Sequence, residues 1–125
     1  MYHMVLVALG GAIGSVLRYL TGMAALRLMG PNFPWGTLTV NIVGSFAIGL
    51  LSHVIMARFG ASEALRLLMI TGVLGGFTTF SAFTLDAIVL AERGAMVMPF
   101  VYIAASVALS IGAALLGLGL ARSFG

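Results

Sequence analysis

Residues 75–84 read Gly75-Gly76-Phe77-Thr78-Thr79-Phe80-Ser81-Ala82-Phe83-Thr84, a run of glycines, hydroxyls and phenylalanines inside a stretch with no charge between Arg66 and Asp86. In hydrocarbon no water satisfies a freed backbone group, so non-helical backbone persists at membrane depth only where it lines a cavity or is buried in protein. Two adjacent glycines and four hydroxyls at that depth predict a break in a membrane helix, at the glycine pair, and a site beside it.

The surrounding composition sets the class. Hydrophobic residues make up 62% of the chain and charged residues 7%, against about 25% charged in ordinary soluble domains, and the mean hydropathy is +1.20. A chain of 125 residues has room for about four helices of roughly 20 residues and little else. The expected fold is an all-α integral membrane protein, a single domain over residues 1–125. With no cysteine present, disulfides and thiolate metal sites are excluded. The six arginines, with no lysine, lie scattered singly. They lack the clustered basic face that nucleic-acid binding requires. The first apolar stretch is not expected to be a cleaved signal peptide, because it has no basic leader and carries Arg18 where a signal's apolar core is uncharged.

Charge spacing places the spans at about 4–26, 35–57, 65–91 and 97–121. Between them lie turn-forming residues: Gly30-Pro31-Asn32-Phe33-Pro34, then Gly60-Ala61-Ser62, then Arg93-Gly94. All three connectors are short, so neighbouring spans run antiparallel. Arg58, Arg66 and Arg122 flank one side of this arrangement, and Arg27 and Arg93 the other. Arginine and lysine asymmetry is what orients a set of spans. So small a difference predicts insertion in both orientations, although two arginines on one side are also enough to orient some chains. Both orientations together would make an antiparallel homodimer available. Gly10 and Gly14 form a GxxxG, and Ala104, Ala108 and Gly112 repeat small residues every four positions. Such stripes let helices approach closely, either in a dimer or within one chain.

The polar residues in the spans point to function. Thr37, Asn41 and Ser45 recur every four residues in the second span, as do Tyr102, Ser106 and Ser110 in the fourth, so each set follows one helix face. Interhelical hydrogen bonding is the ordinary use of such residues. Two aligned tracks beside a broken helix instead suggest a permeation path. Arg18 lies about 21 Å along the first helix from Met4 at 1.5 Å per residue. A buried arginine usually faces water or a polar cavity unless it snorkels to an interface. In an aqueous vestibule its charge favours anions. Phe80 and Phe83, three residues apart, carry the same preference, since aromatic ring edges are positively polarised.

Three segments carry a family resemblance: GGFTTFSAFT at 75–84, PWGTLTVNIVGS at 34–45 and GGAIGSVLRY at 10–19. Together they resemble the Fluc (CrcB) family of microbial fluoride channels over essentially the whole chain. The resemblance implies passive fluoride efflux that protects the cell, a dual-topology antiparallel homodimer with two pores in the inner (plasma) membrane, and a structural sodium ion at its centre. It further implies that Asn41 lines the pore at the end of a vestibule, that Phe80 and Phe83 are the paired pore phenylalanines, and that Ser106 and Ser110, with Tyr102 before them, form the polar track. Thr79 and Ser81 are candidate additions to that track, and Arg18 matches the first-span arginine. The backbone carbonyls of Gly75 and Thr78 correspond to the sodium ligands. Asp86 stands where relatives carry Glu, and its role is left open.

The runner-up expectation is a small four-span, dual-topology multidrug/proton antiporter, which needs a titratable carboxylate inside a span. The first span offers no acid and the third offers Asp86. An assembly subunit, in which the tracks serve only for packing, is a second rival. Enzymatic function is not expected, because His3 and His53 are isolated and nothing resembles a nucleophile with its base.

Overall fold

The computed structural model describes residues 1–94 and 96–124. Among these are four helical segments long and apolar enough to cross a membrane: Tyr2–Met29, Trp35–Arg58, Glu63–Glu92 and Met98–Phe124. No strand occurs among the described residues. The first helix stops at Gly30, whose positive φ of 81° suits glycine and whose amide still reaches the Leu26 carbonyl. Gly94, with φ 82°, turns the chain after the third span in the same way.

The closest helix contacts in this chain are made at glycines, beside one cluster of large side chains at Leu38, Phe83, Leu90 and Tyr102. Lipid is as apolar as leucine, so association of spans depends on close van der Waals contact. A Cβ added at Gly49 in the second helix would strike the Ala114 carbonyl in the last, and one at Gly117 would strike the Phe46 carbonyl in return. The seam between the first helix and the third span is as tight. Cβ atoms at Gly10 and Gly14 would strike the carbonyls of Leu68 and Val73, and one at Gly76 would lie 2.6 Å from the Gly11 carbonyl. The GxxxG of the first span is thus closed by the third span of the same chain and is not left for a dimer. The stripe at Ala104, Ala108 and Gly112 is exposed, with open space around a Cβ at Gly112.

The third span is irregular along its length. A short α-helical turn at Glu63–Arg66 leads into a π-helical stretch, Leu67–Leu74, and a closing α-helical turn, Gly75–Phe77. The helix resumes as Ser81–Glu92. The break therefore lies at residues 78–80 and not at the glycine pair. Gly75 keeps helical angles (φ −62°, ψ −37°), whereas Thr78 is extended (φ −87°, ψ 161°). The reason is that Gly76 serves the close contact with the first helix. The Thr78 amide still donates to the Leu74 carbonyl at 2.9 Å, and Thr79 is the residue whose amide and carbonyl both find partners outside a helical ladder.

Candidate functional site

The break is held by side chains from two other helices and by its own threonines. Thr79 donates its amide to Asn41 Oδ1 at 2.9 Å, and Asn41 Nδ2 donates to the Thr79 carbonyl at 3.0 Å. Arg18 Nε donates to the Gly76 carbonyl at 3.1 Å. Thr78 turns its hydroxyl back to the Leu74 carbonyl at 2.9 Å, and Thr79 Oγ1 accepts the Ala82 amide at 3.1 Å as the second half-helix begins. A helix end leaves donors and acceptors that must be met elsewhere. Gly44 permits this arrangement, because a Cβ there would strike Thr78 Cγ2.

Beside the break is a largely apolar cavity of about 570 Å³, lined by Asn41, Ser45, Gly75, Thr78, Thr79, Phe80, Phe83, Ser106 and Ser110 among others. The sequence-predicted residues of three spans therefore converge. Ser106 Oγ and Ser110 Oγ are buried with no hydrogen-bond partner among the described residues. The rings of Phe80 and Phe83 stand 5.5 Å apart and tilted by 47°. Their surroundings differ, since Phe83 is 9% exposed, packed among Leu38, Leu90 and Tyr102, and Phe80 is 79% exposed. Ser81 is also exposed, with its hydroxyl 3.5 Å from Thr79 Oγ1 and outside the cavity lining.

Tyr102 does not reach the cavity with its two serine neighbours. Its ring is fully buried between Phe33 and Phe83, at centroid distances of 5.4 and 5.2 Å. Its hydroxyl donates to Asp86 Oδ2 at 3.2 Å. Asp86, whose role the sequence leaves open, is thus the acceptor that lets this phenol be buried. Arg18 is half-buried and lines a different cavity of about 500 Å³, with Thr37 and Thr79. Thr79 borders both spaces, so the broken segment is the wall between a compartment holding a guanidinium and one holding only neutral groups.

Sequence reading missed the partners of this wall: Gly76 for Arg18, Thr79 for Asn41 and Gly44 as the hollow for Thr78. The available signal was the four-residue spacing of Asn41 with Ser45, next to Gly44, which points an amide and a gap toward one neighbour.

The sequence profile of the family described as "CrcB-like protein, Camphor Resistance (CrcB)" matches residues 5–118. The chain belongs to the CrcB family. It is 66% identical over 118 residues, 94% of each chain, to a Rhizobium etli (strain CIAT 652) relative named "Fluoride-specific ion channel FluC". Relatives of the same name in Agrobacterium fabrum and Rhizobium meliloti are 59% and 57% identical over 98% of each chain. The motifs at 10–19, 34–45 and 75–84 all fall inside the CrcB match. These are also the segments that supply Arg18, Asn41 and the broken wall.

Proposed function

We propose that the chain is a fluoride channel, passive and non-enzymatic, which lets fluoride leave the cell across the inner membrane and so limits its toxicity. The observation that carries this reading is the cavity in which two buried serine hydroxyls face free space beside the broken third span. A buried hydroxyl with no partner costs about 1–3 kcal/mol, and an anion is the partner that a hydroxyl donor satisfies best. Fluoride is small and strongly hydrated. A pore for it must replace water with a series of donors, none of which holds the ion too firmly. Ser106, Ser110 and the polarised edges of Phe80 and Phe83 form such a series, and Arg18 in the adjoining cavity supplies positive charge at its approach. The names of the CrcB relatives give the ion its identity.

The working unit in this reading is an antiparallel, dual-topology homodimer in lipid, with two pores. Its support is the balance of flanking arginines, the exposed stripe at Ala104, Ala108 and Gly112, and the exposure of Phe80 on the chain's own surface. A structural sodium ion fits the same picture. In a continuous helix the Thr79 and Ala82 amides would cap the carbonyls of Gly75 and Thr78, but both amides are directed elsewhere. Two carbonyls without their helical donors, one of them on exposed Gly75, are suitable ligands for a hard monovalent cation. Bound there, sodium would supply a fixed positive charge joining the two copies. The antiporter alternative has no comparable support, since the only carboxylate inside the third span is engaged by Tyr102.

Purified protein in liposomes loaded with fluoride or chloride tests the function. Fluoride is expected to leave rapidly and chloride to stay; equal loss of both ions, or no fluoride loss, would overturn it.

A further inference from the structure

An amide in an uninterrupted helix donates to the carbonyl four residues back. Across 75–82 the Thr79 amide would cap Gly75, the Phe80 amide Gly76 and the Ala82 amide Thr78. The structure satisfies only one of these three carbonyls with a side chain, Gly76, through Arg18 Nε. The other two donors are diverted, the Thr79 amide to Asn41 Oδ1 and the Ala82 amide to Thr79 Oγ1.

Asn41 holds Thr79 from both sides, with its oxygen on the amide at 2.9 Å and its nitrogen on the carbonyl at 3.0 Å. Only one orientation of the side-chain amide makes both bonds, since the flipped one sets donor against donor. Asn41 therefore plays the part of a neighbouring strand for the extended link that follows Thr78 (ψ 161°). The link joins the helical turn that carries exposed Gly75 to Phe80, also exposed, five residues later.

We infer that Asn41 is a positioning residue that acts through the peptide groups of Thr79. By taking the Thr79 amide it withholds that donor from the Gly75 carbonyl, which stays free for a monovalent cation. By taking the Thr79 carbonyl it fixes the direction in which the chain presents Phe80. The inference rests on the sodium reading above and adds to the pore-lining position expected for Asn41 the role of a clamp coupling the cation carbonyls to the pore wall. Without the clamp, the Thr79 amide returns to Gly75 and the helix closes over the break.

The test uses the full chain in nanodiscs with glycine carbonyls labelled with ¹³C, sodium being exchanged for N-methylglucamine. In the unmodified protein sodium shifts the Gly75 carbonyl resonance and raises the melting temperature. Asn41→Leu, close in shape and without polar atoms, is expected to weaken the sodium response at least tenfold. Asn41→Asp, which keeps the acceptor for the Thr79 amide, is expected to retain it within about twofold while losing the bond to the Thr79 carbonyl. If Asn41→Leu yields too little folded protein, Asn41→Asp decides alone, because loss of its sodium response would overturn the clamp. A full sodium response in Asn41→Leu would overturn it equally. No sodium response in the unmodified protein would overturn the cation part of the inference. Failure of the fluoride reading looks different: a normal sodium response without fluoride flux.

Discussion

Gly10 and Gly14 on the first helix, and Ala104, Ala108 and Gly112 on the last, repeat small residues at the same four-residue interval, yet the structure gives them opposite surroundings. The glycines are closed against the backbone of the third span, where even a methyl group would meet a carbonyl. The alanine stripe faces outward, with open space beyond Gly112. Small-residue spacing therefore states that a backbone can come close and is silent about whose backbone it is. In this chain one stripe serves the fold. The other is left for lipid or a second copy, and the proposed homodimer needs such a face.

Substitutions at matched positions break the comparison most sharply. Gly14→Leu should have the largest effect, loss of folded protein after detergent extraction, followed as the recovered monodisperse fraction in gel filtration. Its neighbours are the Val73 carbonyl and the Phe77 amide, so the usual overpacking cost of about 1–3 kcal/mol is a lower bound where backbone cannot yield. A normal yield of Gly14→Leu would show that the seam is looser than described. Gly112→Leu, on the open stripe, should leave the yield and helix content unchanged while shifting the purified protein from dimer to monomer in light scattering. A dimer unaffected by that change would move the interface elsewhere. Ser110→Ala, on the inward face of the same helix, should keep both fold and association. It should slow fluoride efflux about fivefold, the equivalent of one hydrogen bond of about 1 kcal/mol.

Much of this was legible in the sequence, because a bilayer leaves few choices. Uncharged lengths bounded by arginines and turn residues specify four helices, and a period of four in Thr37, Asn41 and Ser45, or in Ser106 and Ser110, specifies a face. What was not legible depended on contacts between spans. The glycine pair looked like the breaker, yet Gly76 is helical and packs against Gly11. The break fell at Thr78 and Thr79 because Asn41, 38 residues away in sequence, could pair with the backbone there. Arg18 suggested a free vestibule charge, but one of its nitrogens is held by Gly76, 58 residues on. Tyr102 shared the period of Ser106 and Ser110 and still turned away, because Asp86 offered its hydroxyl an acceptor. Local pattern identified which residues are polar at depth, and the tertiary partners decided what each does.

Phe83 belongs both to the packed cluster with Tyr102 and to the cavity wall. The most direct measurement compares fluoride efflux from liposomes carrying the unmodified protein with efflux from liposomes carrying Phe83→Ile, each checked for dimer content by cross-linking. Fluoride-selective efflux is expected from the unmodified protein, and Phe83→Ile is expected to abolish it while the proposed dimer persists. Undiminished efflux from an intact Phe83→Ile dimer would contradict this.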